Sequence, residues 1–236
     1  MRPFRVKLFM DGADIGAMTA AYRSQTVQGF TTNPTLMRKS GITDYAAFAK
    51  AAIAAIPNLP ISFEVFSDDF ASMEAEARVI ASWGGDTYVK IPITNTKGES
   101  AAPLIRKLSA EGFSLNVTAM MTIGQVEAVR AAASPNSRTI VSVFAGRIAD
   151  AGIDPVPVMK KAKAVLAGLP KAELLWASPR EVLNLVQADE TGCDIITATP
   201  DILAKVPTLG KDLDQFSLET VKMFYADAKA AGFKLI

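Results

Sequence analysis

Histidine is absent from the 236 residues, and no other feature of the composition removes as much chemistry. Without it there is no imidazole general base, no serine-hydrolase triad of the usual kind and almost no route to a catalytic zinc site. Cysteine is nearly absent too. Cys193 stands alone, so an internal disulfide, a cysteine-cluster metal site and a paired-thiol redox couple are all excluded. Charge of one sign is not in excess: 25 Lys plus Arg face 24 Asp plus Glu, which leaves no net field for nucleic acid or an anionic membrane surface. No apolar run approaches the ~18 residues that span a bilayer, and the basic start with Arg5 and Lys7 runs into Asp11 rather than into a leader-like segment. A cytoplasmic protein without a membrane or nucleic-acid partner is therefore expected. The glycine fingerprint of dinucleotide folds and the lysine loop of nucleotide triphosphate binders are missing. The chemistry left to this chain runs through carboxylates, lysine, hydroxyls or a cofactor.

What is present centres on Asp86 to Pro92, where one lysine interrupts an apolar, β-forming run (Asp-Thr-Tyr-Val-Lys-Ile-Pro). In a strand, Tyr88, Lys90 and Pro92 point one way and Val89 and Ile91 the other. An ammonium placed in such a strand loses hydration, which lowers its pKa from about 10.4 and makes Lys90 a candidate amine nucleophile. The competing reading is a lysine that snorkels from a strand end into water.

Half of the residues are hydrophobic, enough for a large core. Strands are predicted at 6–11, 29–33, 61–66, 86–93, 113–119, 139–144, 174–177 and 194–197. Helices are predicted at 15–22 (N-capped by Asp14), 44–56, 71–83, 97–111, 123–133, 155–166 and 179–188. Strands recur every 20 to 35 residues or so, roughly the length of one strand plus one helix, with no linker between units. The fold class expected is α/β, a (β/α)8 TIM barrel in a single domain over 1–236. An open doubly wound sheet is the alternative, lacking its glycine fingerprint. An amphipathic segment at 217–231 is expected to form an extra C-terminal helix that closes the barrel bottom or clamps a neighbouring subunit.

In a barrel every second strand residue faces the lumen, and carboxyl ends of strands build the site. By that parity Asp11, Asn33, Glu64 (with Ser62), Lys90, Asn116 and Thr118 (with Ser114), and Ser142 and Phe144 gather at one end of six neighbouring strands. Each alone has a plainer reading: Asp11 as a turn residue before Gly12, Asn33 as an Asn-Pro turn starter, Thr118 as a backbone-bonded hydroxyl, Glu64 as a solvent-facing edge residue. Together they argue for a site, since buried unpaired charges cost several kcal/mol each. Anion binding has two candidates. Arg147 follows strand six, with Asp150 or Asp154 as its competing partners, and Ser178-Pro179-Arg180-Glu181 reads both as a capping box and as a phosphate-binding helix start.

These residues fall in motifs that resemble the transaldolase family: Leu8-Phe9-Met10-Asp11, Gly29-Phe30-Thr31-Thr32-Asn33-Pro34, Glu64-Val65, Val89-Lys90-Ile91-Pro92, Asn116-Val117-Thr118, Ser142-Val143-Phe144-Ala145-Gly146-Arg147 and Ala177-Ser178-Pro179-Arg180. Seven motifs in order span about residues 6 to 200. The resemblance implies a class I aldolase barrel that moves a dihydroxyacetone unit between phosphorylated sugars of the pentose phosphate type, without metal or cofactor. It implies Lys90 as the Schiff-base lysine, Asp11 as the acid/base, and Glu64 and Thr118 as holders of the water used in dehydration and hydrolysis. Asn33, Asn116, Ser142 and Phe144 become substrate contacts, and Arg147, Ser178 and Arg180 the phosphate site. Relatives that resemble fructose-6-phosphate aldolase and release free dihydroxyacetone carry glutamine in place of Glu64 and tyrosine in place of Phe144, so this chain is expected on the transferase side. Gly12 departs from the hydroxyl or small polar residue that many relatives place beside the acid. Short members look pentameric or decameric, which implies a homo-oligomer (pentamer, decamer or dimer) with 217–231 in the contacts. A deoxyribose-phosphate aldolase-like enzyme, a transaldolase for modified sugars and a non-catalytic binder are the remaining alternatives.

Overall fold

A computed structural model describes residues 4–235, so residues 1–3 and 236 of the expected domain lie outside the described residues. The chain opens with β1 (Lys7–Asp11), α1 (Ile15–Arg23), β2 (Gly29–Thr31), α2 (Pro34–Lys39), α3 (Tyr45–Ala55), β3 (Ile61–Glu64), α4 (Phe70–Ala81) and β4 (Thr87–Pro92). It continues through α5 (Ala102–Ala110), β5 (Leu115–Met120), α6 (Ile123–Ala132), β6 (Thr139–Val143), α7 (Ala145–Asp150), α8 (Pro155–Leu166) and β7 (Ala172–Trp176). It ends with α9 (Leu183–Thr191), β8 (Ile195–Ala198), α10 (Pro200–Leu203) and α11 (Leu213–Ala230). The strands follow one another in parallel, and β8 pairs with β1 to close the barrel. This is the (β/α)8 fold the strand spacing predicts. No helix among the described residues is long and apolar enough to cross a membrane.

Local chemistry starts most helices where expected. Asp14, Asp44 and Asp69 accept the backbone N–H of Ala17, Ala47 and Ser72 at 2.7, 2.9 and 2.8 Å. Each cap contributes about 1 kcal/mol. Outward strand residues such as Phe30, Phe63, Ile91, Val117 and Trp176 pack beneath the helices in one large core. Inside the barrel a second apolar cluster, Phe9, Tyr88, Ile140, Leu175, Ala177 and Ile195, fills the lumen below the strand ends. Phe9 fits there because its register partner is Gly29, where an added Cβ would sit 2.4 Å from the ring.

Several boundaries depart from expectation, among them the strand limits of β3, β5 and β7, and three departures have a plain local cause. α5 starts at Ala102 rather than residue 97, because the Asn95 carboxamide oxygen accepts the N–H groups of Lys97 and Glu99 and holds them in a turn. α9 starts at Leu183 rather than 179, since Asn184 Oδ1 takes the N–H groups of Arg180 and Glu181. Asn33, expected at the end of a strand over 29–33 with an Asn-Pro turn as its plainer reading, lies beyond β2 and instead caps α2, its Oδ1 accepting Leu36 N at 3.0 Å with Pro34 at the first position. The C-terminal helix is present as α11, but none of its residues is buried, so it does not close the barrel bottom.

Candidate active site

The site grows from the register of β3 and β4. Glu64 and Lys90 are strand partners, and their side chains meet with Nζ 2.9 Å from Oε2. Lys90 is 6% exposed, and its Nζ also donates to the Thr32 carbonyl at 3.0 Å. The amine is therefore held inside the wall rather than snorkelling outward. Its own strand carries no second charge; the neighbouring strand supplies one. Tyr45 donates to the Glu64 carbonyl at 2.9 Å and meets Phe63 and Trp83 edge-on, which fixes the end of β3 behind the pair.

Asp11 ends β1 and receives the Thr31 hydroxyl at 2.7 Å on Oδ1. Asn33 Nδ2 stands 3.4 Å from Oδ2. Burial pushes the Asp11 carboxyl above its ordinary value, outweighing the Lys90 charge and the Thr31 hydrogen bond that pull it down. A carboxyl set this way can hold or accept a proton nearer neutrality than an exposed aspartate.

Asn116 links two hydroxyls: its Nδ2 donates to Ser62 at 2.9 Å and its Oδ1 accepts from Ser142 at 2.7 Å. This belt ties β3, β5 and β6 together and fixes the amide orientation. Beyond it β5 kinks, with a register shift between Val117 and Met120 and Ala119 at φ +64°. A left-handed alanine stores strain. The buried Thr118 hydroxyl next to it has no hydrogen-bond partner among the described residues, which leaves it available to a molecule in the cavity.

Three residues beyond β6 and β7 complete the mouth. Gly146 approaches Ser178 so closely that an added Cβ would lie 1.5 Å from the Ser178 carbonyl oxygen, and Ser178 itself takes φ +56°. The contact needs glycine at 146, and it seats Arg147 beside the Ser178–Arg180 loop. Ser178 is not a helix cap and no capping box forms with Glu181; the expectation of a helix start at this point is corrected by Asn184, which holds the loop. Arg147 lies 5.1 Å over the Phe144 ring. The two carboxylates weighed as competing partners of Arg147 are engaged elsewhere: Arg180 grips Asp150, with Nε 3.0 Å from Oδ1 and Nη2 against Oδ2, and Asp154 caps Val156 N at 2.9 Å. The Arg180 guanidinium holds the Asp150 carboxyl below its usual range.

All eleven site residues predicted from the sequence line one cavity of about 520 Å³ at the carboxyl end of the barrel. The cavity also takes in Thr31, Thr197 and Lys39, which sequence reasoning passed over. Parity marks the first two, since Thr31 shares a strand face with Gly29 and Thr197 with the lumen residue Ile195. Lys39 sits on α2, a helix not foreseen. The assembly puts a buried amine, two carboxylates, hydroxyl and amide donors and two guanidinium groups around one space, a set suited to carbonyl chemistry on a polyhydroxylated anion.

Comparison with known proteins agrees. The Transaldolase/Fructose-6-phosphate aldolase family model matches residues 8–235. A Listeria monocytogenes protein named "Probable transaldolase 2" is 34% identical over 217 residues, covering 89% of this chain and 94% of that one. A Ruegeria protein named "Probable transaldolase" is 31% identical over 235 residues, covering 98% and 100%. Among solved structures, one from Burkholderia cenocepacia superposes with a TM-score of 0.64 at 12% identity, over 99% of this chain and 86% of that one. Dihydrodipicolinate synthase from Rhodopseudomonas palustris gives 0.56 at 15%, over 90% and 77%; at such identities only the barrel is shared. Sequence likeness along almost the whole length, on a barrel whose mouth gathers the eleven predicted site residues, makes this chain a member of the Transaldolase/Fructose-6-phosphate aldolase family.

Proposed function

We propose that the protein is a transaldolase, transferring a dihydroxyacetone unit from a ketose phosphate, sedoheptulose 7-phosphate or fructose 6-phosphate, to an aldose phosphate. The observation that carries this is the buried Lys90 amine, paired with Glu64 in the cavity that Asp11 also lines. Glu64, in contact with Nζ, takes the ammonium proton, and the free amine adds to the ketose C2 carbonyl. The carbinolamine hydroxyl leaves as water with a proton supplied through Glu64 and Thr118, giving an iminium. Asp11 takes the proton of the C4 hydroxyl; the C3–C4 bond breaks, its electrons pass to the iminium as an enamine, and the aldose leaves. Addition of the enamine to a second aldehyde reverses these steps, with Asp11 returning the proton. Asn33, Asn116 and Ser142 bind substrate hydroxyls, and Arg147, Ser178 and Arg180 bind the phosphate.

Glu64 and Phe144, rather than glutamine and tyrosine, support transfer over release of free dihydroxyacetone. Borohydride reduction in the presence of fructose 6-phosphate is expected to add a dihydroxyacetone-derived mass to Lys90; an unmodified Lys90 would remove the reading. We also read the chain as one cytoplasmic barrel domain that assembles into a homo-oligomer. Helix α11 supports the assembly, because it buries nothing in the chain itself while exposing Phe216, Val221, Phe224 and Tyr225. Light scattering that returns the mass of one chain would remove that part.

A further inference from the structure

We propose that Thr197 on β8 is a positioning residue for Asp11, acting through Thr31. β1 is flanked by β2 on one side and β8 on the other, so the strands bearing Thr31 and Thr197 enclose the strand bearing Asp11. Thr31 Oγ1 lies 2.7 Å from Asp11 Oδ1 and 2.6 Å from Thr197 Oγ1. Both threonines are buried, at 2% and 5% exposure.

The direction of the chain follows from counting protons. A hydroxyl carries one proton, and an ionised carboxylate only accepts. The Thr31 proton is committed to Asp11, so the short contact between the two hydroxyls requires the proton of Thr197. The hydrogen bonds therefore run from Thr197 to Thr31 to Asp11, each polarising the next in a site shielded from water. Thr197 never touches the carboxylate; it fixes the rotor of the hydroxyl that does. Oδ1 is thereby occupied. Among the described residues Oδ2 has only the long contact with Asn33 Nδ2, at 3.4 Å and shared with Oδ1 at 3.5 Å, and it is the oxygen left to exchange a proton with substrate.

The other groups that face Asp11 are Lys90 from β4, Glu64 from β3 and Asn33 after β2. A change at Thr197 leaves all three in place. The kinetic part of the test rests on the transaldolase reading, whereas an NMR titration of the Asp11 side-chain carboxyl carbon, assigned with Asp11→Asn, does not. For Thr197→Val the Asp11 midpoint is expected to rise by about half a unit to one unit, the range of one neutral hydrogen bond. The acid limb of the kcat profile moves up by the same amount, kcat falls by roughly three- to tenfold, and KM stays nearly constant. Thr197→Ser, which keeps the donor, restores both. Thr197→Ala carries the same readouts should the valine variant fail to fold. An unmoved Asp11 midpoint in a folded Thr197→Val or Thr197→Ala protein overturns the proposal, as does a serine variant as impaired as the valine one. If the unaltered chain forms no borohydride-trapped adduct, the transaldolase reading fails while the NMR midpoint still decides the role of Thr197.

Discussion

Glu64 and Lys90 stand opposite each other on adjacent strands, and a 2.9 Å contact joins their side chains inside the barrel wall. Among the described residues neither has a second charged partner at ion-pair distance. Their fates in a variant are thus coupled. Lys90→Met is expected to abolish turnover and adduct formation and to lower stability by about 1–3 kcal/mol, because Glu64 is left without its cation. Adding Glu64→Gln is expected to return part of that stability and none of the activity. Denaturant titration of the single and double variants checks this, and additive losses would contradict the coupling.

Phe144→Tyr is expected to raise the release of free dihydroxyacetone relative to transfer by about tenfold or more, by adding a phenol at the cavity wall where an acid/base group can act. The ring that carries Arg147 is kept, so KM for phosphorylated sugars is expected to change little. Fructose 6-phosphate assayed with and without an aldehyde acceptor gives the ratio directly.

Arg180→Ala separates binding from folding. The Arg180–Asp150 pair is half exposed, so its loss is expected to leave stability nearly unchanged. Loss of a charged hydrogen-bond donor to phosphate is expected to raise KM by roughly ten- to a hundredfold. An unchanged KM would confine Arg180 to its contact with Asp150.

Asp11→Asn is expected to trade activity for stability in a pH-dependent way. The native Asp11 carboxyl is held above the ordinary aspartate value of 3.8, so the unfolded chain gives up this proton more readily. Its contribution to stability is fully present below that ordinary value and is lost as pH rises through the raised native value. The asparagine variant, which does not ionise, is therefore expected to melt higher than the unaltered chain at neutral pH, with the gap closing in acid. Thermal melts across pH check the sign, and carbon–carbon cleavage by the variant is expected to fall at every pH.

Much of this site was legible because strand parity is a strict rule: once Lys90 marks the inner face of β4, the inner faces of β3, β5 and β6 follow. Caps were legible for a similar reason, since an aspartate before an apolar-periodic run has one favourable use. What stayed hidden depended on contacts distant in sequence or on backbone strain. Nothing local to Ser178-Pro179-Arg180 announces a positive φ at Ser178, or an asparagine at 184 that captures two N–H groups and delays the helix. The grip of Arg180 on Asp150 crosses 30 residues. Helix α7 starts without any capping side chain, so no cue precedes it. Thr197 was a missed opportunity rather than a hidden one, because the parity that selected Asn116 selects it as well.

The apolar cluster of Phe9, Tyr88, Ile140, Leu175 and Ile195 has a further kinetic meaning. It stoppers the barrel crosswise, with the Lys7–Glu173 pair linking β1 and β7 at their opposite ends. The cavity at Lys90 is therefore closed off below and reached from the carboxyl end of the barrel. On the transaldolase reading, the first aldehyde then has to back out by the mouth it entered before the second can come in, so one-out, one-in turnover is the expected order.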